Sequence, residues 1–411
     1  MTDASPGIVI IGAGHAGGSV AALLRQFGWA RSITLIGSEA LPPYQRPPLS
    51  KAWLKGEAKL ADLELRPAEF YATNKIGVRF GATATNLDRT AQTISLNTGE
   101  MIRYEKLILA TGSRPRELAV PGLENGPILE LRTIADADRI KDVLRPGQRL
   151  LIVGGGYVGL EVAASARALG ATVTVIEREA RLLARVASEA LSDHVLGYHR
   201  GKGVDIELGA TVAAIQGTGG KVTGVRLTDG RILPGDAVLV GIGATGNDQL
   251  AKAAGLACGD GIKVDAAART SEANIYAIGD CSNRPMQMYW RDVRLESVPN
   301  AVEQAKQAAS DICGKPVPLA EVPWFWSDQF DMRLQMAGLQ FDVARTVVRG
   351  NPVEGKFAVF HLKKDGCVQA VEAVNMTPEY MGGRLLIGKR TVVDADQLID
   401  ISVPMKQLLT S

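Results

Sequence analysis

Two glycine-rich segments give the strongest chemical signal in this sequence of 411 residues. Gly12-Ala13-Gly14-His15-Ala16-Gly17 follows the apolar run Ile8–Ile11, and Gly154-Gly155-Gly156-Tyr157-Val158-Gly159 follows Leu150–Val153. Each reads G-x-G-x-x-G between a strand pattern and a helix pattern. A pyrophosphate must approach bare backbone N–H groups at a helix N-terminus, and a Cβ there would block it. Two copies therefore predict two dinucleotides on one chain, with electrons passing between them.

An acidic residue lies near the end of the second strand of each unit. A carboxylate at Glu39 or Glu177 can accept hydrogen bonds from ribose hydroxyls and repels a 2′-phosphate, so Glu177 favours NAD over NADP. Two alternatives stay open. Ser38 or backbone groups can replace Glu39, and the guanidinium groups of Arg178 and Arg181 can hold a 2′-phosphate.

Three further turns follow apolar strands, where a backbone can approach a ligand. They are Ala110-Thr111-Gly112, Gly279-Asp280 and the glycine-rich turn that contains Gly243. In a doubly wound sheet the ligand lies beyond the carboxyl ends of the strands. Asp280 is therefore a candidate for binding the ribityl hydroxyls of a flavin, although an isolated Gly-Asp pair is usually only a turn.

Periodic patterns predict the elements that must position these residues. The first βαβ unit is predicted at Ile8–Ile11, Ala16–Phe27 and Ile33–Ile36, and the second at Leu150–Val153, Val158–Leu169 and Thr172–Ile176. Further strands are predicted at Lys106–Ala110, Val204–Leu208, Lys221–Leu227, Ala237–Val240, Phe357–Leu362 and Val368–Val374, and helices at Pro299–Ile312 and Pro378–Ile387. The proline-rich segment 41–51 predicts an ordered loop or an extended segment, because prolines disfavour helix and central strand.

Bulk composition excludes several classes of protein. Hydrophobic residues make up 46% of the chain and charged residues 22%, and the net charge of +2 argues against a polybasic nucleic-acid binder. No run is long enough for a transmembrane helix, and the N-terminus has no leader pattern. The cysteines form no C-x-x-C pair, so we expect neither a metal site nor a redox disulfide, and we expect free thiols in the cytoplasm. They are Cys258, Cys281, Cys313 and Cys367.

The motifs together resemble a known family. In order they are Gly12–Gly17, Arg46-Pro47-Pro48-Leu49-Ser50-Lys51, Ala110-Thr111-Gly112, Gly154–Gly159, Tyr276-Ala277-Ile278-Gly279-Asp280 and Trp324-Phe325-Trp326-Ser327-Asp328-Gln329. They look like the FAD-dependent, NADH-utilising ferredoxin reductases of bacterial oxygenase systems, the family of putidaredoxin reductase, rubredoxin reductase and the aromatic-ring dioxygenase reductases. The resemblance covers nearly the whole chain, and the Arg-Pro-Pro-Leu-Ser-Lys and Trp-Phe-Trp-Ser-Asp-Gln blocks are its most specific parts.

The resemblance implies an α/β fold with two Rossmann-like nucleotide-binding domains, as in glutathione reductase, and a C-terminal α/β domain. The implied domains are 1–112 with 248–323 for FAD, 113–247 for NAD and a C-terminal domain at 324–411. The implied activity is hydride transfer from NADH to FAD, followed by single-electron transfer to a [2Fe–2S] ferredoxin. That ferredoxin would serve an oxygenase such as a cytochrome P450 or a ring dioxygenase.

The resemblance also implies the cofactor contacts. Lys51 would lie near the isoalloxazine, Asp280 would hold the ribitol, and Val298 and Trp326 would lie by the flavin ring. The full set that we expect to contact FAD or NAD is Gly12, Gly14, His15, Ala16, Gly17, Ser38, Glu39, Arg46, Lys51, Ala110, Thr111, Gly112, Asp280, Val298, Trp326, Gly154, Gly155, Gly156, Tyr157, Val158, Gly159, Glu161, Glu177 and Gly243.

Lys51, Glu161 and Trp326 are the residues that we expect to act on the reaction, by positioning and charge. By the resemblance, Glu161 faces the nicotinamide and pairs with Lys51, whose ammonium would stabilise the anionic reduced flavin. The residues alone leave plainer alternatives open. Lys51 can be a solvated lysine, Glu161 an acid that satisfies a helix dipole, and Trp326 a core residue of a strand.

Residues 42–54 contain no cysteine. A disulfide reductase or a cysteine-dependent peroxidase of the same superfamily would need one there, so we expect the electrons to leave for an external acceptor. An NADH oxidase and a redox-sensing flavoprotein resembling apoptosis-inducing factor are the alternatives. We expect the partner to be an acidic ferredoxin and the protein to be a monomer or homodimer that binds neither nucleic acid nor membrane. The segment 25–80 and the cluster Arg284, Arg291 and Arg294 are the candidate basic surfaces.

Overall fold

The computed structural model describes residues 6–409, and these form two compact units. The first unit contains the residues up to Gln45, Lys59–Arg114 and Ala244–Glu321. The second contains Arg46–Ala58, Pro115–Gly243 and the residues from Val322 onward. The chain therefore passes between the units several times.

The elements are numbered in chain order. The strands are β1 Gly7–Ile11, β2 Ile33–Gly37, β3 Ile76–Phe80, β4 Ala84–Asp88, β5 Thr93–Leu96, β6 Met101–Leu109, β7 Ser113–Pro115, β8 Ile128–Leu129, β9 Arg149–Val153, β10 Thr172–Glu177, β11 Val204–Leu208, β12 Val212–Thr218, β13 Lys221–Leu227, β14 Ile232–Pro234, β15 Ala237–Val240, β16 Ala244–Gly246, β17 Cys258–Gly259, β18 Gly261–Lys263, β19 Ile275–Ala277, β20 Ser282–Met286, β21 Arg291–Val293, β22 Trp324–Gln329, β23 Met332–Gly338, β24 Arg345–Asn351, β25 Lys356–Leu362 and β26 Val368–Val374. The α-helices are α1 His15–Gln26, α2 Leu60–Leu63, α3 Ala68–Thr73, α4 Ile134–Val143, α5 Tyr157–Ala168, α6 Glu189–Gly201, α7 Gln249–Ala253, α8 Val298–Ile312, α9 Thr377–Lys389, α10 Ala395–Ile399 and α11 Met405–Leu408. Single 3₁₀ turns cover Pro47–Ser50, Leu123–Asn125, Gly279–Cys281 and Gln287–Tyr289.

A seven-stranded sheet is the centre of the first unit. Its order is β3-β2-β1-β6-β5-β4, and β19 pairs with β6. The strands β3, β2, β1, β6 and β19 are parallel, whereas β5 pairs antiparallel with β6 and β4 pairs antiparallel with β5. Apolar residues run continuously along β1 because both of its faces are buried, as is usual in parallel sheets. The helices α1 and α8 share one core cluster, in which small alanines such as Ala21 and Ala305 let them lie close together.

The second unit contains a five-stranded parallel sheet of order β11-β10-β9-β15-β8, with α5 after β9. An antiparallel sheet follows in the order β12-β13-β14. The last segment adds a five-stranded antiparallel sheet of order β22-β23-β26-β25-β24. One core cluster contains Leu160 of α5, Val195 of α6 and Leu334 of β23, so the C-terminal sheet packs on the helices of the parallel sheet.

Both predicted βαβ units are present, and each of their element ends lies within one residue of the predicted position. The prediction for the proline-rich segment is wrong in part, because Pro47–Ser50 forms a 3₁₀ turn. Proline is compatible with the first positions of a helical turn, since the N–H groups there have no intrahelical acceptor. The periodic patterns missed α4 and α6 entirely.

A buried carboxylate joins α6 to the C-terminal sheet within the second unit. Glu372 on β26 is 2% exposed and accepts hydrogen bonds from the Ser188 N–H at 3.0 Å and the Gln340 amide at 2.8 Å. His361 Nε2 lies 3.1 Å from its other oxygen. Ser188 is also the N-cap of α6, because its hydroxyl accepts from Leu191 N–H at 3.2 Å. The carboxylate thus fixes the start of this helix against the sheet.

Glu372→Ala is expected to lower the free energy of unfolding by about 3–5 kcal/mol, because it leaves several buried donors without an acceptor. Thermal and urea unfolding of the flavin-loaded protein measure the change. Glu354→Ala is the matched control on the exposed turn between β24 and β25, and it should stay within about 0.5 kcal/mol of the parent. Equal effects of the two substitutions would contradict this account of Glu372.

Candidate functional site

The first glycine turn, Gly12–Gly17, brings a strand end, a loop and a helix into close contact. Gly12 has φ +110°, and a Cβ there would lie 2.1 Å from the carbonyl oxygen of Ala110. A Cβ on Gly17 would lie 1.8 Å from the carbonyl oxygen of Gly12. By contrast, a Cβ on Gly14, the N-cap of α1, would have no atom within 4 Å. The outer glycines are required by packing, and the middle one leaves open space at the helix N-terminus that suits a pyrophosphate.

The second glycine turn, Gly154–Gly159, repeats this arrangement in the second unit. Gly154 has φ +110°, and its Cβ would lie 2.4 Å from the carbonyl oxygen of Gly241. A Cβ on Gly159 would lie 2.7 Å from the carbonyl oxygen of Gly154, whereas one on Gly156 would meet nothing within 4 Å. The residues present in each turn therefore fit a dinucleotide phosphate.

The two acidic residues occupy different surroundings. Glu177 accepts hydrogen bonds from Gly155 N–H at 2.7 Å and Glu179 N–H at 2.9 Å, so its carboxylate lies against the second glycine turn. Glu39 accepts from the hydroxyl of Tyr44 at 2.5 Å. Ser38 is exposed beside it. Glu177 is therefore held beside the second glycine turn, whereas Glu39 is hydrogen-bonded to a tyrosine.

The arginines near Glu177 differ in their availability to a phosphate. Arg181 donates to the carbonyl oxygens of Ala184 and Ala187, both at 2.8 Å, and to the Ser192 hydroxyl at 2.7 Å. The Arg181 guanidinium is therefore occupied by hydrogen bonds to the segment 184–192. Arg178 is largely exposed and pairs with Glu179 at 3.0 Å.

The turn around Asp280 lies at the carboxyl ends of β19 and β6 in the first unit. Asp280 accepts a hydrogen bond from the Ser113 hydroxyl at 2.8 Å. Gly279 has φ +76°, and its N–H donates to the side-chain oxygen of Gln304 on α8 at 2.8 Å. Thr111 donates to the carbonyl oxygen of Asn247 at 2.6 Å. These contacts hold the Ala110–Gly112 and Gly279–Asp280 turns in fixed positions.

Val298 and Gly243 each lie at an element end. Val298 is the first residue of α8 and is half-buried, and Ser297 caps the helix by accepting from Asn300 N–H at 3.2 Å. Gly243 has φ +101°, and its carbonyl oxygen accepts from Arg116 N–H at 2.9 Å in the second unit.

A compact polar cluster surrounds Glu161 in the second unit. The Nζ of Lys51 lies 2.5 Å from Glu161 Oε2, and the Ser50 hydroxyl donates to the same oxygen at 2.6 Å. Ser327 on β22 donates to the other oxygen, Oε1, at 2.7 Å. Ser165, one helical turn after Glu161, donates to the Ser50 carbonyl oxygen at 2.6 Å. The Pro47–Ser50 turn, α5 and β22 therefore meet at one carboxylate.

This geometry differs from the plainer alternatives for Lys51 and Glu161. The Lys51 side chain is only 21% exposed, so it is not a freely solvated lysine. Glu161 lies in the second turn of α5, with no acidic residue in the first turn, so it does not act on the helix dipole. Sequence reasoning gave no role to Ser50 or Ser327. Both lie in the motif blocks that carry the family resemblance, and the alternation of a strand could have placed Ser327 on the face opposite Trp326.

Trp326 lies on the other face of β22. Its ring centroid is 5.7 Å from that of Trp324, and Trp324 is 6.3 Å from the ring of Tyr380 on α9. Both tryptophans are half-buried. Phe325, on the same face as Ser327, packs edge-on against Tyr157 with centroids 4.9 Å apart. The two faces of β22 therefore have different partners.

Arg46, at the start of the Arg-Pro-Pro-Leu-Ser-Lys block, donates from its guanidinium to the carbonyl oxygen of Arg132.

The expected basic cluster is largely paired. Arg284 is buried and donates to Glu303 at 2.8 Å. Arg294 pairs with Asp260 at 2.8 Å and with Glu296 at 2.5 Å. These two residues therefore do not form an open basic surface, contrary to the expectation from their spacing.

Among residues 6–409, no helix combines the length and the hydropathy that a membrane-spanning helix needs.

Comparisons with known proteins agree with this arrangement. Residues 6–305 match the family model for pyridine nucleotide-disulphide oxidoreductases, and residues 324–409 match the reductase C-terminal model. A probable ferredoxin reductase, CtmF, of Castellaniella defragrans is 47% identical, with 99% of each chain covered. Putidaredoxin reductase CamA of Pseudomonas putida is 41% identical over 100% of this chain and 98% of its own.

Solved structures are also similar. The reductase in the covalent putidaredoxin reductase–putidaredoxin complex superposes with a TM-score of 0.96 at 40% identity, with 99% of each chain covered. The ferredoxin reductase for the CYP199A2 system of Rhodopseudomonas palustris gives a TM-score of 0.95 at 37% identity, with 98% of this chain and 99% of that chain covered. The predicted fold class, two Rossmann-like domains with a C-terminal domain, is confirmed.

Proposed function

The chain belongs to the pyridine nucleotide-disulphide oxidoreductase family, with a reductase C-terminal domain, and from this premise we propose that it carries electrons from NADH to a ferredoxin. It is an FAD-dependent oxidoreductase. The observation that carries the proposal is the pair of glycine turns whose middle glycines face open space, in a chain without cysteine at 42–54. Two dinucleotides and no thiol relay leave an external protein as the electron acceptor.

The residues have separable tasks in this proposal. When bound, FAD supplies the exchange between a hydride and single electrons. The first glycine turn binds the FAD pyrophosphate, and the second binds that of NADH. Glu177 accepts the ribose hydroxyls. Lys51 and Glu161 orient the reacting groups by charge, and no side chain has to act as a general acid or base.

We propose the following residue contacts, domain bounds and partner on the basis of the family resemblance. Asp280 holds the ribitol, and Val298 and Trp326 contact the flavin ring. The domains are 1–112 with 248–323, 113–247 and 324–411. The partner is an acidic [2Fe–2S] ferredoxin that serves an oxygenase, and the protein works in the cytoplasm, where NADH is available, as a monomer or homodimer.

Anaerobic stopped-flow mixing with NADH tests the proposal, followed by cytochrome c reduction with and without a panel of acidic ferredoxins. We expect rapid bleaching of the flavin, then cytochrome c reduction that depends on one of the ferredoxins. Fast NADH consumption with oxygen that no ferredoxin stimulates would favour an NADH oxidase instead. A long-lived charge-transfer complex without onward transfer would favour a redox sensor.

Glu177→Ala is expected to reduce the preference for NADH over NADPH by about tenfold to 10²-fold. The substitution removes hydrogen bonds to a ribose, each worth about 1.5–3 kcal/mol when one partner is charged, and removes the charge that repels a 2′-phosphate. The ratio of kcat/KM for the two cofactors measures the effect. Asp205→Ala, which removes an exposed carboxylate from the neighbouring strand β11, is the matched control and should leave the ratio unchanged.

A further inference from the structure

One face of β22 is both polar and buried. Ser327 and Gln329 occupy alternate positions of the strand, on the same face as Phe325, and both side chains are completely buried. Strand alternation puts Trp324 and Trp326 on the opposite face. Burying an amide and a hydroxyl costs free energy unless both are hydrogen-bonded, so the hydrogen-bond partners of these two side chains must offset that cost.

The partners of these side chains form a continuous series, the polar row, made of Glu161, Ser327, Gln329 and His199. Ser327 Oγ lies 2.7 Å from Glu161 Oε1, and Gln329 Nε2 lies 3.1 Å from Ser327 Oγ. Gln329 Oε1 lies 2.8 Å from Nε2 of His199, which is fully buried on α6. The row therefore connects the carboxylate on α5 to an imidazole on a different helix.

The charge of Glu161 fixes the direction of every hydrogen bond in the row. The Lys51 ammonium at 2.5 Å requires Glu161 to be a carboxylate, which only accepts. Ser327 has one hydrogen, and it must point at Glu161. Gln329 must then donate its N–H to Ser327, which leaves its carbonyl oxygen facing His199. That oxygen needs a donor, so His199 carries its proton on Nε2.

The surroundings of His199 agree with this tautomer. Its Nδ1 has no hydrogen-bond partner among residues 6–409. Burial lowers the pKa of His199, so the ring is neutral and carries a single N–H. A proton on Nδ1 would leave the buried Nδ1–H without an acceptor. The lone pair of Nε2 would then face a lone pair of the Gln329 carbonyl oxygen, which is repulsive. The Nε2–H form avoids both costs.

We propose that Ser327, Gln329 and His199 are positioning residues that hold the Glu161 carboxylate in the orientation in which it pairs with Lys51 and acts on the nicotinamide. The inference rests on the proposed function and extends it to a residue on α6. Ser50 holds the Oε2 atom of Glu161 and Ser327 holds the Oε1 atom. The polar row fixes the second of these contacts. If Gln329 turned its carbonyl oxygen toward Ser327, that oxygen would compete with Glu161 for the single hydroxyl hydrogen, whereas the N–H that Gln329 donates leaves this hydrogen to Glu161.

The first test reads the tautomer directly and needs no activity. The chain has four histidines, so ¹⁵N-histidine labelling gives few signals, and His199→Phe identifies the one from His199. At neutral pH we expect a pyrrole-type Nε2 and a pyridine-type Nδ1. Gln329→Met should remove the acceptor and abolish the preference. A dominant Nδ1–H form in the parent protein would overturn the proposal.

The second test measures the rate at which NADH reduces the flavin. His199→Phe keeps the ring and removes the donor, and we expect the limiting rate to fall about tenfold, as for a small displacement of an oriented group, with little change in the Kd for NADH. His199→Gln returns an amide donor and should recover most of the rate. His194→Phe makes the same substitution on the same helix outside the polar row and should have no effect.

The outcomes separate this inference from the proposed function. If NADH does not reduce the parent protein, the proposed function fails, and the tautomer measurement still decides whether the polar row has the direction that we infer. If NADH reduces the parent and His199→Phe equally fast while both retain flavin, the positioning role is refuted. A rate that falls in His199→Phe and is not recovered in His199→Gln would also refute it, since that pattern indicates packing alone.

Discussion

Replacing Gly156 by valine is expected to give a yellow protein that NADH reduces poorly. The backbone accepts the change, because Gly156 has φ −84° and ψ 173°, and a Cβ would meet no atom within 4 Å. The branched side chain would fill the space that a pyrophosphate needs. Losing two charge-assisted hydrogen bonds costs about 3 kcal/mol, so the Kd for NADH should rise roughly 10²-fold or more. Stopped-flow titration with NADH measures it.

The matching change in the first glycine turn should have a different result. Gly14 also has an extended backbone and open space at its Cβ position. Gly14→Val is therefore expected to give a folded but colourless protein, because this turn is assigned to FAD. Gly197→Val, at a glycine of α6 that also has open space, is the control and should keep both cofactors. Full flavin content and unchanged NADH binding in both turn variants would refute the phosphate assignment.

The glycine turns could be predicted from sequence because their requirements are local. A strand, a tight turn and a helix N-terminus follow one another within a few residues. The first glycine of each turn is required because a Cβ would clash with a backbone carbonyl oxygen, as the structure shows at both Gly12 and Gly154. The acid at Glu177 lies at a fixed distance along the same βαβ unit. Its contact with Gly155 is therefore also local.

The polar cluster at Glu161 could not be predicted from the residues alone because its members are distant in sequence. Ser50, Glu161 and Ser327 meet only when the Pro47–Ser50 turn and β22 pack on α5. The family resemblance supplied the pairing of Lys51 with Glu161 but no role for the serines. Gln329 and His199 gave no sequence signal, since a buried glutamine or histidine has no characteristic spacing. Charge clusters were misleading for a similar reason, because Arg284 and Arg294 pair with acids that sequence spacing does not reveal.

Lys51→Met is expected to change both stability and rate, and a second substitution can separate the two effects. The single variant leaves the Glu161 carboxylate in a site that is 9% exposed without its countercharge, which should cost about 3 kcal/mol of unfolding free energy. It also removes the cation proposed to stabilise the anionic reduced flavin. Removing one such electrostatic contact lowers rates about 10²-fold to 10³-fold, so the limiting rate of flavin reduction should fall by that order.

The double variant Lys51→Met with Glu161→Gln decides what Lys51 does. The neutral amide no longer needs a countercharge and still accepts from Ser50 or Ser327, so most of the lost stability should return. The rate should stay below that of Glu161→Gln alone, which lacks the same carboxylate but keeps the cation. Unfolding by urea and stopped-flow reduction by NADH, measured on the same flavin-loaded samples, give the two quantities. If the rate recovers together with the stability, Lys51 serves only to neutralise Glu161, and the charge that favours the reduced flavin must come from another group.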